Sequence, residues 1–239
     1  RRRLGVRCRM AAVALLGIVA AACGRPAAEV EKDAAPAEDP YPDDPANLEV
    51  WLERMEVGSR EIYSARNAVA GAVSLPEGAR IADIGAGTGI YSMLFSEKVG
   101  AKGAVFAVDI EPRFLKLINQ RAEDDGRDNI ISVLGRTDSI TLPAASVDAV
   151  FICDTYHHFE FPHSTTRSIL RALTPGGRLV VVDFERIPGV SREWTLDHVR
   201  AGKEVVRAEI EATGFVFVRE LDVPGLAENY VLEFVKPAK

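Results

Sequence analysis

A glycine-rich segment at residues 83–89 constrains the fold of this chain more than any other feature. The apolar run of residues 81–84 leads into it, and Gly85, Gly87 and Gly89 then alternate with other residues. Glycine permits positive φ, and it lets a ligand approach main-chain N–H groups that a Cβ would shield. The pattern therefore predicts a buried strand that turns tightly into a helix and holds a nucleotide-like ligand.

A carboxylate follows at the distance that such a site requires. The apolar run of residues 104–108 ends in Asp109, 20 residues beyond Gly89. In nucleotide-binding sheets, an acid at the end of the second strand accepts the ribose hydroxyls. Dinucleotide folds carry Gly-x-Gly-x-x-Gly, and Ile90 stands here where their third glycine belongs. A nicotinamide- or flavin-dependent oxidoreductase is therefore the less favoured alternative.

Strand and helix patterns alternate along most of the chain, which predicts an α/β fold with a parallel sheet covered on both faces. The predicted strands lie near residues 80–84, 104–109, 129–134, 147–153, 178–184, 215–218 and 230–235, and the helices near 89–99, 112–124, 164–173 and 197–213. Apolar residues between Trp51 and Val73 predict one or two further helices before the sheet. These helices either cap the ligand site or pack on the sheet edge.

The spacing of the three glycines after Asp83 resembles the first motif of class I S-adenosylmethionine-dependent methyltransferases. The sequence Leu-Thr-Pro-Gly-Gly at residues 173–177 is similar to the turn before the fifth strand of that family. The predicted methyltransferase domain spans residues 48–239, and the resemblance covers about residues 48–236 of it. It implies a Rossmann-like, doubly wound sheet of seven strands, mostly parallel with the last strand antiparallel. It also implies S-adenosylmethionine as cofactor and a small-molecule acceptor, as in quinone-biosynthesis C-methyltransferases.

The resemblance further implies which residues bind the cofactor. Asp83 and the glycines would shape its methionine end, Asp109 would hold the ribose, and Asp138 would accept from the adenine amino group. A turn aspartate that caps local N–H groups is the alternative for Asp138. The full implied set is Asp83, Gly85, Ala86, Gly87, Gly89, Asp109, Ile110, Asp138, Ser139 and Asp154.

The segment at residues 154–159 follows the predicted fourth strand, at the edge where open α/β sheets bind ligands. His157 and His158 are the candidate catalytic residues, because an imidazole can remove a proton from the acceptor as the methyl group arrives. Alternatively, they only orient the loop. Tyr156 and His158 are the candidate substrate contacts. We expect His198 to be a helix cap or a solvated residue.

Metal dependence is not expected from the sequence. Asp154 and Asp183 both end predicted strands, where metal-dependent relatives place magnesium ligands. However, Phe184 stands where those enzymes supply a further oxygen, and magnesium needs a fuller oxygen shell.

The N-terminal residues 1–23 are typical of an export signal. Five arginines precede the apolar run of residues 11–22, which is too short to span a bilayer. The run ends at Cys23 in a pattern that resembles a bacterial lipobox, which implies lipidation of Cys23 and a lipoprotein on the periplasmic face of a membrane. An ordinary cleaved signal, giving a soluble periplasmic protein, and a retained anchor are alternatives. Arg1, Arg2 and Arg3 also allow a twin-arginine signal that exports folded protein.

Residues 24–47 are rich in Ala, Pro, Glu and Asp, which predicts a disordered linker. Without residues 1–23, the net charge changes from −6 to −11, since five arginines and no acids are lost. Such a surface repels phosphate backbones, so nucleic acid is excluded as a substrate. The prediction is an exported, lipid-anchored methyltransferase. A non-catalytic lipoprotein that binds a nucleoside-like ligand or a partner is the alternative, because S-adenosylmethionine is made in the cytoplasm.

Overall fold

The structure, a computed structural model, describes residues 47–238, with side chains from Val50 onward. The predicted signal, lipidation site and most of the predicted linker lie outside these residues. Within residues 47–238, no helix is both long enough and apolar enough to cross a bilayer.

Seven strands form one sheet in the order β3-β2-β1-β4-β5-β7-β6. The strands are β1 (Arg80–Ile84), β2 (Ala104–Asp109), β3 (Ile130–Leu134), β4 (Val147–Cys153), β5 (Leu173–Phe184), β6 (Val216–Glu220) and β7 (Asn229–Val235). The first five strands are parallel, and β7 runs antiparallel to both β5 and β6. The sheet confirms the predicted fold class.

Helices cover the sheet and precede it. They are α1 (Asn47–Met55), α2 (Glu61–Ser64), α3 (Arg66–Ala72), α4 (Ile90–Val99), α5 (Pro112–Asp124), α6 (Pro162–Ala172), α7 (Glu193–His198) and α8 (Lys203–Ala212). The prediction of a single helix near residues 197–213 is wrong, because non-helical residues separate α7 from α8. The guanidinium of Arg186 donates to the carbonyls of Leu196 and Val199, and Gly202, in extended conformation, precedes α8.

Successive side chains of the central strands point to opposite faces of the sheet, so the domain has a core on each face. In β1, Ile81 packs with Phe95 of α4 on one face, and Ala82 packs with Ile169 of α6 on the other. Such strands are buried on both faces and read as continuous apolar runs. Because β1 lies between β2 and β4, the chain order reverses there, and ligands bind at the carboxyl ends of strands at such a point.

Candidate active site

A cleft of about 920 Å³ opens at the carboxyl ends of β1, β2 and β4. The glycine-rich turn and residues that follow β4 line it. Residues of α1 and of the turn before α2 line it as well. The cleft is large enough for a ligand of the size of a nucleoside joined to an amino acid.

The glycine-rich turn is tightly packed beneath this cleft. Gly85 has φ +65°, and a Cβ there would lie 2.3 Å from the Cγ2 atom of Thr155. Gly87 has φ +53° and lines the cleft below the Met55 sulfur. Gly89 does not line it, unlike its neighbours Thr88 and Ile90. Instead it begins α4 with φ +83°, where a Cβ would lie 2.8 Å from Cγ1 of Ile118 in α5.

The structure places Asp109 at the end of β2, facing the glycine turn. Its carboxylate accepts hydrogen bonds from the backbone N–H of Gly87 at 2.8 Å and that of Glu111 at 2.9 Å. Burial raises its pKa, although these N–H groups oppose the rise. Each oxygen keeps a second lone pair, so the carboxylate can still accept hydroxyl groups of a ligand.

Asp83 is a second buried acid of the cleft. Its side chain accepts a hydrogen bond from the Ser92 hydroxyl of α4 at 2.7 Å. Burial raises the pKa of Asp83 to about 7, although the Ser92 hydrogen bond opposes this. A buried acid with this pKa favours a cationic ligand group, which would restore its charge.

The predicted adenine end is formed only in part as expected. Ile110, which is 52 % exposed, and Ser139 both line the cleft, and Ala86 lines it from the glycine turn. Asp138 does not line it: its side chain pairs with Arg136 at 3.1 Å on the surface. The structure therefore does not support contact of Asp138 with adenine, and it shows a pair with a side chain rather than the capping of N–H groups that the alternative predicted.

Asp154 directly follows β4 in a left-handed conformation with φ +45°, and its side chain is 5 % exposed. It accepts hydrogen bonds from the Arg60 guanidinium at 2.8 Å and the Asn229 amide at 2.6 Å. Burial raises the pKa of Asp154 to about 6, and the charge of Arg60 opposes the rise. The Oδ1 atom of Asn229 is buried at the cleft without a hydrogen-bond partner in the described part of the chain.

His157 forms a buried pair with Asp183 at the far end of the cleft. Its Nδ1 lies 2.7 Å from one Asp183 oxygen, and its backbone N–H donates to the other at 3.0 Å. Burial opposes protonation of His157, but the Asp183 carboxylate outweighs this and raises its pKa. Asp183 is thus paired with His157, and Asp154 with Arg60 and Asn229.

His158 and His198 complete this end of the cleft. Burial lowers the pKa of both, and the neighbouring His157 lowers them further, to about 3 for His158. Both rings are therefore neutral at pH 7. The ring of His198 stacks on Trp194, with centroids 4.7 Å apart. The expectation that His198 is a cap or a solvated residue is wrong, because its ring lines the cleft and contacts those of His157 and His158.

Tyr156 is not a substrate contact, which corrects the prediction. The short 3-10 turn at residues 156–158 directs its ring into the core, where it is fully buried. Its hydroxyl lies 3.1 Å from a Glu209 oxygen of α8. Phe159, not Tyr156, lines the cleft from this turn.

The segment before the sheet both caps the cleft and packs in the core. Trp51, Arg54 and Met55 of α1 line the cleft, whereas Val69 and Ala70 of α3 are buried in a core cluster. Arg60, Asn229 and His198 are site residues that the sequence analysis missed. They reach the site from elements distant in sequence, and no local pattern marks them.

Comparison with known proteins agrees with this architecture. Residues 82–181 match a family model described as a methyltransferase domain. The ubiquinone/menaquinone biosynthesis C-methyltransferase UbiE of Azotobacter vinelandii is 34% identical over 110 residues, which are 46% of this chain and 44% of that protein. The chain thus spans less than half the length of this curated relative.

Solved structures share the fold at low identity. A SAM-dependent methyltransferase from Aquifex aeolicus superposes with a TM-score of 0.69 and 22% identity, over 80% of this chain and 98% of that one. The cyclase SpnF superposes with a TM-score of 0.65 and 17% identity, over 77% and 85%. Together, the family match and the sheet order support a class I methyltransferase, and S-adenosylmethionine is the cofactor that they imply.

Proposed function

We propose that this chain transfers a methyl group from S-adenosylmethionine to a small-molecule acceptor bound at the histidine end of the cleft. One observation carries the proposal. A single cleft joins the glycine turn, a carboxylate at the end of β2 and two histidines at the end of β4. The glycines and the carboxylate suit a nucleoside, and the histidines suit an acceptor that loses a proton.

The residues of the cleft fit the cofactor group by group. Asp109 would accept the ribose hydroxyls, and Ile110 and Ser139 would flank the adenine. Asp83, Asp154 and the unpartnered Oδ1 of Asn229 are acceptors that suit the ammonium of its methionine part. Arg54 would suit its carboxylate.

When bound, the cofactor supplies an electrophilic methyl group on a sulfonium. The chain contributes position and exclusion of water, which alone can account for much of the rate of such a transfer. The cap residues Trp51 and Met55 would cover the reacting atoms. Of the two predicted histidines, His158 is a poor base, because its pKa of about 3 is far from neutral pH. His157, oriented by Asp183, is the better candidate.

We also propose that the protein is exported, with Cys23 as its lipidated residue. The arginines and apolar run of residues 1–23 support this proposal. The Cys23→Ser variant tests it by detergent-phase partitioning of cell extracts. Lipidation predicts that the native chain enters the detergent phase and that the variant stays in the aqueous phase. An aqueous native chain would favour the soluble periplasmic alternative.

The cofactor site is tested by calorimetric titration of S-adenosylmethionine and S-adenosylhomocysteine into the full chain. Asp109→Ala removes a carboxylate of the cleft, and Asp138→Ala removes an acid that does not line it, although its partner Arg136 does. We expect Asp109→Ala to weaken binding at least tenfold and Asp138→Ala to leave it unchanged. Thermal unfolding of each variant checks that it remains folded.

The possible outcomes separate the candidate functions. Binding of the cofactor followed by turnover with a panel of phenols, quinols and thiols supports the proposal. Binding without turnover on any acceptor favours the non-catalytic lipoprotein. The methyltransferase proposal is overturned if the folded chain binds neither ligand.

A further inference from the structure

Three imidazoles meet at the acceptor end of the cleft. His157 and His158 come from the turn after β4, and His198 is the last residue of α7. Their ring centroids lie 4.1 to 5.2 Å apart. One possible ligand atom from each lies within 4.8 Å of the other two. Three of the four histidines of the chain, from two separate elements, therefore converge on one point.

Each imidazole of this cluster can offer one ring nitrogen to a metal ion, which binds the deprotonated nitrogen and displaces any proton on it. Nδ1 of His157 is engaged by the Asp183 carboxylate at 2.7 Å, so its Nε2 is the nitrogen left for a ligand. A carboxylate behind a histidine is the usual support of a metal-bound imidazole, because it fixes the tautomer and the ring orientation. Within the described part of the chain, the rings of His158 and His198 make aromatic contacts, and their nitrogens form no hydrogen bond or ion pair.

We propose that His157, His158 and His198 bind one divalent transition-metal ion of the zinc type, with a fourth position open to the cleft. Neutral imidazole nitrogens suit zinc and its neighbours, whereas magnesium requires oxygen ligands. Three protein ligands and one open position are typical of catalytic zinc sites. The cleft, which all three rings line, provides access to that open position.

The cluster is wider than an occupied site and must contract. Zinc–nitrogen bonds of about 2.0 to 2.1 Å in a tetrahedral site place the nitrogens about 3.3 Å apart. The separations of up to 4.8 Å must therefore shorten by as much as about 1.5 Å. His198 can supply this movement, because it ends a helix of only six residues.

The charges around the cluster permit a bound cation. Two of the arginines that line the cleft are paired with acids: Arg200 donates to Glu209 at 2.7 and 2.9 Å, and Arg192 forms an ion pair with Glu228. Asp183 is the carboxylate in direct contact with the cluster. A divalent ion there would gain the attraction of Asp183.

The ion also gives the acceptor site a chemical role, and this step rests on the proposed methyl transfer. An acceptor hydroxyl or thiol in the open position would have a lowered pKa, would release its proton to solvent water in the cleft, and would be held as an anion. Because the ion would use Nε2 of His157, that nitrogen would no longer serve as the general base. The substrate class that follows is a small molecule that coordinates through oxygen or sulfur.

Metal binding to the full, untagged chain tests the proposal. Chain stripped by a chelator would be titrated with Zn²⁺ in competition with a chromophoric chelator, and with Co²⁺ while its visible absorption is recorded. His158→Gln and His198→Gln remove proposed ligands, and His163→Gln is the matched control, because His163 lies in α6 outside the cluster. Asp183→Asn tests the supporting carboxylate, and circular dichroism verifies the fold of each variant.

We expect one ion per chain, a tetrahedral Co²⁺ spectrum, and binding weakened at least tenfold in His158→Gln and His198→Gln. Asp183→Asn should weaken it 10- to 100-fold, in line with supporting carboxylates elsewhere, and His163→Gln should bind like the native chain. A folded chain that binds no ion, or binds it equally well in His198→Gln, would overturn the proposal. Calorimetry with S-adenosylmethionine on the same samples separates this failure from failure of the proposed function.

Discussion

Gly85 has no room for a side chain, because Thr155 packs directly on it. A Cβ at Gly85 would lie 2.3 Å from Cγ2 and 2.5 Å from Oγ1 of Thr155, so Gly85→Ala must displace the loop that carries His157. We predict a loss of stability about 1 to 3 kcal/mol greater than backbone strain alone produces, together with at least tenfold weaker cofactor binding. Urea unfolding and calorimetry measure the two effects.

Gly126 provides the control for this substitution. Its φ of +63° matches the +65° of Gly85, yet nothing lies within 4 Å of a Cβ built on it. Gly126→Ala should therefore lower the free energy of unfolding only by the strain of a left-handed alanine, about 1 to 2 kcal/mol, and should leave cofactor binding intact. Equal losses in the two variants would show that the contact with Thr155 is unimportant.

Asp83 makes stability depend on pH. Burial raises its pKa from the usual 3.8 to about 7 in the folded chain. The folded state therefore binds the proton more tightly than the unfolded state does. The resulting stabilisation is fully present below about pH 4 and is lost as the pH rises to about 7. The shift of the Asp83 pKa from 3.8 to about 7 corresponds to a stabilisation of about 4 kcal/mol.

Asp83→Asn tests this linkage, because it keeps an oxygen to accept from Ser92 and removes the titration. We predict that the free energy of unfolding of the native chain falls relative to that of the variant between pH 4 and pH 7. Urea unfolding at each pH measures the difference. Parallel curves for the two proteins would contradict the raised pKa of Asp83.

The start of α2 is tied to the ends of β4 and β7 by one ion pair. Arg60 precedes α2 and bonds to Asp154, whose side chain is 5 % exposed, while Asn229 of β7 bonds to the other oxygen. Loss of Arg60 leaves a buried carboxylate without its cation, which is costly. Because the Arg60 side chain is 30 % exposed, solvent screening reduces that cost. A coupling energy of about 1 to 2 kcal/mol is the expected result.

A double-mutant cycle with Arg60→Gln and Asp154→Asn measures this coupling. The pair of Arg80 and Asp148, at the start of β1, is a matched control, since its side chains are 42 and 40 % exposed. Its coupling should stay below about 1 kcal/mol. If the exposed pair has the larger coupling energy, burial does not control the strength of the ion pair between Arg60 and Asp154.

Elements with a strong local pattern could be predicted from the sequence. The apolar runs and the glycine turn predict β1, β2 and β4, because a continuous apolar run is typical of a strand that is buried on both faces. The break between α7 and α8 could not be predicted in this way. It depends on Arg186, which is distant in sequence and whose guanidinium donates hydrogen bonds to the carbonyls of Leu196 and Val199. The helical pattern of residues 203–212 carries no trace of that interaction.

The same limit applies to the site as a whole. Gly85, Asp109 and His157 could be predicted to share one edge of the sheet, because topology brings the carboxyl ends of β1, β2 and β4 together. The convergence of His198 with His157 and His158 could not, since α7 and the turn after β4 are distant in sequence and no local pattern brings them together. Asp138 and Tyr156 failed for another reason, because sequence position does not decide which way a side chain faces in a loop.

At the scale of the whole molecule, we predict that the folded domain does not need the segment that precedes it in sequence. The core clusters contain residues from Ile62 to Phe234, whereas residues 24–46 are rich in charged residues, alanine and proline. We predict that a chain starting at Asn47 unfolds within about 2 °C of one starting at Gly24, which corresponds to less than 1 kcal/mol at this size. It should also bind the cofactor with the same affinity, as measured by calorimetry.

A third chain, starting at Ser59, removes α1 but keeps Arg60, and it separates capping from folding. The core clusters contain no residue of α1, so this deletion should change the unfolding midpoint little. It should weaken cofactor binding at least tenfold, because Trp51 and Met55 line the cleft. If the chain starting at Asn47 is already less stable than the one starting at Gly24, residues 24–46 belong to the folded domain. If deletion of α1 leaves binding intact, the helix packs at the cleft without acting as its cap.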